Sequence, residues 1–270
     1  MDVDMLLAID IGNTNIVLGV FDEDRLVQSW RLSTERQRTA DELGIWVCQL
    51  FEHRRLDLAA ISGVVVASVV PQLTGTTVKM AERYVGREPL VVEGRIRTGM
   101  PVLYDAPTDV GADRIVNGVA AFERYGRPAG KAVIVVDFGT ATTFDAISQA
   151  GEYLGGVICP GVQISADALF ERAARLPRVD VRRPSAVIGR STVGSMQSGL
   201  YFGYVGLVEG LVTRMRAELG TSAACVATGG LAELIGPETA AIEVIDRDLT
   251  LHGLRMIWAM NQGEGLPGLR

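Results

Sequence analysis

Asp10-Ile-Gly-Asn-Thr14 sets an acid, a glycine, an amide and a hydroxyl next to one another. Such a turn can serve a phosphate group: the glycine lets backbone N–H groups come close, Asn13 and Thr14 add neutral donors, and Asp10 can hold a hydrated magnesium ion. The same residue types also make an ordinary hairpin turn, so one copy leaves both readings open. A second copy, Asp137-Phe-Gly-Thr140, shifts the balance, because two opposed hairpins of this kind can clamp one nucleotide. Thr228-Gly229-Gly230, at the end of a later apolar run, would bring backbone close to an adenosine.

Other chemistries are poorly served. A P-loop needs a lysine inside GxxxxGK[ST], and Lys79 and Lys131 are the only lysines. The run from Gly126 to Lys131 is one residue short and is followed by Ala132, so it reads as a turn feeding a strand. Cys48, Cys159 and Cys225 are scattered through apolar runs, without zinc spacing, and read as small core residues in a reducing compartment. His53 and His252 lie too far apart in the sequence to suggest a histidine dyad. A net charge of −6 leaves no basic excess for coating a nucleic acid.

The elements that must position these turns follow from apolar patterning. Leu6 to Ile9 reads as a strand ending in the Asp10 turn, followed by a second strand, a turn at Asp22 to Arg25 and a third strand from Leu26 to Trp30. The same grammar returns at Val133 to Val136, with Asp137, a strand through Phe144 and Ile147, a turn at Ser148 to Glu152 and a strand from Tyr153 to Ile158. A repeated meander of this kind predicts two similar domains.

Helices fill the intervals. Thr39-Ala-Asp-Glu42 is a capping box opening a helix with Leu43, Trp46, Val47 and Leu50 on its apolar side, Trp46 being expected in the core. Ile61 to Val70 reads as a strand buried on both faces. Further helices are expected at Gly111 to Phe122, Ser165 to Leu176, Thr192 to Leu219 and Leu251 to Asn261, with a strand at Ala223 to Ala227. Alternation on this scale means an α/β protein. Gly194, Gly199, Gly203, Gly206 and Gly210 weaken the long helix, which points to a close helix–helix seam and to a subunit interface.

The start of the chain lacks the positive charge and long apolar stretch of a signal peptide. The charge-free stretches Leu58 to Val78 and Ser191 to Val208 are broken by Pro71 and by Gln197 with several serines and glycines, so both fit buried elements better than a membrane span. A cytoplasmic protein without membrane or nucleic-acid partners is expected.

The sequence resembles the actin, Hsp70 and sugar-kinase superfamily, and within it the type III pantothenate kinases. The resemblance runs over nearly the whole chain: DIGNT at Asp10, ASVVP at Ala67, TGMPVLYDAP at Thr98, GADR at Gly111, DFGTATTFD at Asp137, GGVICPG at Gly155, ALFERAARLP at Ala168, IGRST at Ile188 and ATGGLA at Ala227. DIGNT and DFGT are signals of the superfamily; GADR, the Tyr104 segment and IGRST are specific to the family. The implied fold is a pair of actin/Hsp70-like, ribonuclease H-like domains with an interdomain nucleotide cleft. Residues 1–114 and 115–270 are the expected domains, with the last helix packing back on the first.

The resemblance implies transfer of the ATP γ-phosphoryl to the 4′-hydroxyl of pantothenate, the first step toward coenzyme A. Asp10, Ile11, Gly12, Asn13, Thr14, Asn15, Ile16 and Val17 would form the first ATP-phosphate loop and Thr140 the second. Asp113 would be the catalytic base. Tyr104, Gly111, Ala112, Asp113 and Arg114 would form the pantothenate site, joined by Thr192. Asp137 would hold a monovalent cation, potassium or ammonium, besides the magnesium carried with ATP near Asp10. The family is dimeric, and a homodimer is expected.

Phosphoryl transfer agrees with these roles, since it needs positioning, charge neutralisation and a carboxylate to take the hydroxyl proton. Asp113 lies where a helix N-terminus favours an anion, and a guanidinium such as Arg114 can bind a carboxylate bidentately. Without the family context, Asp113 reads as a helix-start acid paired with Arg114, and Tyr104 as an aromatic at the edge of a core. Two alternatives stand beside the kinase: an ATP-regulated binding protein of the same fold, and a kinase for another alcohol such as a sugar.

Overall fold

In the computed structural model, residues 4–93 and 96–263 are described. The chain makes two compact units. The described residues of Met1–Met100, Ala106–Ala120 and Thr250–Arg270 form one, and Pro101–Asp105 with Ala121–Leu249 form the other. The chain is therefore not divided by a single cut after residue 114: five residues ahead of it, from Pro101 to Asp105, belong to the second unit, and the last helix belongs to the first.

The first unit opens with strands β1 (Met5–Ile11), β2 (Asn15–Asp22) and β3 (Arg25–Ser33), an antiparallel meander. Helix α1 (Ala40–Arg54) then crosses to β4 (Ile61–Ser68), which lies parallel to β1. Helix α2 (Pro71–Met80) leads to the short β5 (Leu90–Val91), completing the sheet order β3-β2-β1-β4-β5. The strand expected up to Val70 ends at Ser68, because Pro71 supplies the first residue of α2 and takes the chain out of the ladder. Leu7, Ile9 and Ile11 project from one face of β1 into a core shared with Leu43, Val47 and Phe51 of α1 and Leu73 of α2.

The capping box at Thr39 and Glu42 is formed. Trp46, expected in the core, is instead 46% exposed. The buried positions of α1 are Leu43, Gly44, Val47 and Phe51; Trp46 lies off that stripe, with the Arg38 guanidinium 5.4 Å above its ring.

Helix α3 (Ala112–Ala121) is followed by a π turn, Phe122–Gly126, and opens the path to the second unit. There β6 (Ala132–Phe138), β7 (Ala141–Ile147) and β8 (Tyr153–Pro160) repeat the meander. The run Gly126 to Lys131 is a turn, with the Lys131 N–H donating to the Gly126 carbonyl at 3.0 Å. Helices α4 (Val162–Arg172) and α5 (Thr192–Leu219) precede β9 (Ala223–Gly229), parallel to β6. A short α6 (Ala232–Ile235) then leads to β10 (Val244–Ile245). The order β8-β7-β6-β9-β10 reproduces that of the first sheet. Asp10 and Asp137 are each the penultimate residue of the central strand that starts the meander.

Helix α4 begins earlier than the expected Ser165 and ends at Arg172, short of Leu176. Gly161 caps its start, and the chain turns extended at Ala173 on its way to Pro177, before which helical backbone is disfavoured. Ile134, Val136 and Phe138 pack with Leu200, Tyr204, Val208 and Val212 of α5 in the second core. The middle of the glycine edge of α5 is open: among the described residues, no atom outside the helix's own backbone comes within 4 Å of where a Cβ would stand at Gly199, Gly203 or Gly206. No seam with another helix of the same chain forms at these positions among the described residues.

Helix α7 (Leu249–Asn261) packs on the first unit's other sheet face. Gly63 of β4 leaves room for the Trp258 indole, which a Cβ at 63 would overlap. Among the described residues no helix is long and apolar enough to cross a membrane.

Candidate active site

The first turn is held from outside. Gly12 donates to the Asn15 carbonyl at 2.9 Å and closes the hairpin, while Thr34 donates through Oγ1 to the Gly12 carbonyl at 2.7 Å and through its N–H to that of Thr14 at 3.0 Å. Asn13 and Thr14 are exposed at the tip. Ile11 and Ile16 have no accessible surface, so of the Asp10–Val17 segment they can offer a ligand only backbone. Asp10 lies between Val17 of β2 and Ala67 of β4 in the register, at the carboxyl end of β1.

Gly111 reaches that same end. The Val69 N–H donates to the Ile11 carbonyl at 3.0 Å, and a Cβ at Gly111 would stand 3.7 Å from the Val69 side chain. The first unit therefore brings the Asp10 turn and the Gly111–Arg114 segment to one edge of its sheet. Helix α3 starts there, with the Gly111 carbonyl accepting from the N–H groups of Arg114 and Ile115. Asp113, in the first turn, is half-buried, and its Oδ1 accepts from the Arg114 N–H at 2.8 Å. Burial pushes the Asp113 carboxyl above the usual carboxylate range, against the lowering pull of the Arg114 N–H and charge. Arg114 is itself 8% exposed and engaged within the protein.

Two contacts hold α3 in place. Thr250 of α7 donates to the Asn117 side-chain oxygen at 2.7 Å, and Gly253 lets α7 approach the Val116 carbonyl. Asn117 is one helical turn beyond Asp113 and is 2% exposed. Nothing in its local sequence marks it; only its spacing from Asp113 offers a signal.

In the second unit, Asp137 pairs with Thr143 of β7 and Thr228 of β9. Gly229, at φ +92°, runs so close that a Cβ there would lie 2.5 Å from Asp137 Oδ1 and 2.7 Å from Phe138 backbone. Thr228-Gly229 thus lies against the Asp137 carboxylate, a contact not foreseen in the sequence. Thr140 is exposed on its turn. A Cβ at Gly161, the cap of α4, would overlap the Thr140 carbonyl, so the end of β8 and the turn are packed backbone to backbone.

Tyr104 lies in the short excursion of Pro101–Asp105 and belongs to the second unit, whereas Gly111–Arg114 belongs to the first. Its ring is 6.3 Å from that of Tyr153 and rests beside Gly155. Thr192 opens α5, capped by Ser191, whose side chain accepts from Gly194 at 3.1 Å. It borders an open cavity of about 630 Å³ with Leu169, Leu176, Arg190, Ser195 and Met196. Among the described residues no group of three or more histidines, cysteines and acids gathers as a metal site.

Residues 6–214 match the family model described as type III pantothenate kinase. The chain belongs to the type III pantothenate kinase family. It is 56% identical over 257 residues to the type III pantothenate kinase of Moorella thermoacetica, covering 95% of this chain and 100% of that one. Identity is 58% to that of Myxococcus xanthus, covering 95% and 99%. The fold is that of sugar kinases: the inorganic polyphosphate/ATP-glucomannokinase of an Arthrobacter species superimposes with a TM-score of 0.53 at 17% identity, covering 96% and 99% of the two chains. Membership in this family makes the chain an enzyme and a kinase.

Proposed function

We propose that the chain performs its family's reaction, ATP-dependent phosphorylation of pantothenate to 4′-phosphopantothenate on the way to coenzyme A, with Asp113 as general base. The observation that carries the base assignment is Asp113 itself: half-buried at the start of α3, with one carboxylate oxygen tied to the Arg114 N–H and its pKa raised by burial. In the reaction the pantothenate 4′-hydroxyl oxygen bonds to the γ-phosphorus, the bond to the bridging oxygen of ADP breaks, and the hydroxyl proton passes to Asp113. A carboxylate with a raised pKa is a stronger base than an ordinary one.

Backbone donors of the Asp10–Val17 turn and the Thr140 hydroxyl are assigned to the ATP phosphates. Gly111, Ala112, Arg114, Tyr104 and Thr192 are assigned to pantothenate. Arg114 would meet the pantothenate carboxylate in a largely desolvated setting, where a bidentate pair is strong.

A magnesium ion that keeps most of its waters and phosphate ligands needs only one or two carboxylates, and Asp10 fits that demand. Potassium or ammonium is assigned to the Asp137 carboxylate, against which the Gly229 backbone is packed. The cations supply countercharge for the phosphates when bound.

We read the enzyme as a cytoplasmic homodimer. Support comes from Val187, Ile188 and Val193, exposed at 64%, 82% and 40% around Thr192, and from the open glycine edge of the same helix. Sedimentation showing only monomer at micromolar concentration would overturn the dimer. Incubation with ATP and a panel of small alcohols tests the reaction, and absence of pantothenate turnover would overturn it.

A further inference from the structure

Asp145 of β7 has no accessible surface. A buried carboxylate is costly unless it is hydrogen-bonded, and Asp145 accepts from the Tyr153 hydroxyl at 2.7 Å and from Thr143 Oγ1 at 3.2 Å. Tyr153, at the start of β8, is likewise fully buried. A core that needed only filling at this point would be served by phenylalanine and an aliphatic side chain. The phenol and carboxylate instead fix where the Tyr153 ring lies.

Tyr153 in turn holds the excursion that carries Tyr104. Its N–H donates to the Pro101 carbonyl at 2.8 Å, and its carbonyl accepts from the Leu103 N–H at 2.8 Å. Val102 pairs with it as an isolated parallel bridge. The excursion has no buried side chain of its own: Leu103 is 56% and Tyr104 37% exposed. Its placement therefore depends on the backbone clamp and on the ring contact between Tyr104 and Tyr153, at 6.3 Å and 59°. On another side the Tyr104 ring meets Gly155, where a Cβ would stand 3.5 Å away and φ of +129° favours glycine.

We propose that Tyr153, locked by Asp145, is a positioning residue that sets the orientation of Tyr104 and through it the affinity for the acceptor alcohol. The inference rests on the reading of Tyr104 as part of the pantothenate site. Neither Tyr153 nor Asp145 touches the reacting atoms in this account. Their effect is confined to acceptor binding, because the ATP turns and Asp113 are held by other contacts.

The test is steady-state kinetics of Tyr153→Phe, which keeps the ring and the backbone clamp and removes only the hydroxyl. The expected result is a KM for pantothenate raised about 3- to 10-fold, with kcat and the KM for ATP within twofold of the parent. In a Tyr104→Ala background the same substitution is expected to change the pantothenate KM by less than twofold, since the residue through which it acts is gone. Leu103→Pro, at an exposed side chain, removes one bond of the clamp and gives a second reading should Tyr153→Phe fold poorly; the same selective rise in KM is expected. A lowered melting temperature with an unchanged pantothenate KM in both variants overturns the proposal and leaves a purely structural pair. Equal rises in both substrates' KM values also overturn it. Wild-type enzyme that fails to turn over pantothenate overturns the underlying assignment instead, so the two failures are told apart.

Discussion

Gly253 of α7 lies so close to the Val116 carbonyl of α3 that a Cβ at 253 would overlap it. The contact joins a helix near the end of the chain to the one whose first turn carries Asp113, and the bond from Thr250 to Asn117 adjoins it. Asp113 is thus positioned by a segment far from it in sequence.

Gly253→Ala is therefore expected to displace α3. Forcing a methyl group against backbone in a packed interface costs about 1–3 kcal/mol, and at this chain length each kcal/mol lowers Tm by about 2–4 °C. The kcat should fall along with the stability, while the KM for ATP holds because the Asp10 turn is fixed separately by Thr34. Thermal unfolding and kinetics of the variant check this; an unchanged Tm would show that α7 can shift without moving α3.

Asp113→Asn separates catalysis from stability. Removing a positioned base lowers kcat by about 10² to 10⁴, while ATP affinity stays within a few-fold. Stability moves the other way. The folded-state pKa of Asp113 is raised by burial, so its ionised form is disfavoured by folding: the contribution to stability is full below the unfolded-state pKa and is lost as pH rises through the folded one. The neutral amide escapes that loss, and the variant is expected to melt higher than the parent at pH 7, the gain shrinking as the pH falls. A folded variant with near-parental kcat would show that Asp113 only starts its helix.

The pH profile follows from the same shift. A base works in its ionised form, so kcat/KM for pantothenate should fall as pH drops through the Asp113 pKa, and that limb should lie above the ordinary aspartate value of about 4. The limb should be missing from the residual activity of Asp113→Asn. Titration of the parent enzyme with a limb at or below pH 4 contradicts the burial effect.

Potassium or ammonium is expected to raise the rate over sodium at equal ionic strength, which excludes screening as the cause. Gly229→Ala puts a methyl group on the Asp137 carboxylate and should abolish that difference. Equal rates of the parent enzyme in both salts would remove the cation from Asp137.

Features legible in the sequence are those set by neighbours along the chain. The Asp10 and Asp137 turns, the capping box at Thr39 and the long helix from Thr192 to its Gly220 cap each depend on residues within a few positions of one another. The duplicated meander is legible for the same reason, since hairpins pair adjacent segments. Trp46 departs from expectation because an apolar residue at helical spacing looks buried whether it lies on the core stripe or just beside it.

By itself the sequence determined the two turns at Asp10 and Asp137, the α/β alternation and, through GADR, IGRST and their companions, the family. Tertiary structure alone decided that α7 steadies α3, that Gly229 closes on Asp137, that Tyr104 belongs to a different unit from Asp113, and that Asp145 and Tyr153 bond inside the second sheet. The physical reason is range: a turn or cap is a balance among adjacent dihedrals and hydrogen bonds. A close approach of two backbones, or the burial of a carboxylate, depends on which distant segments the completed packing brings together.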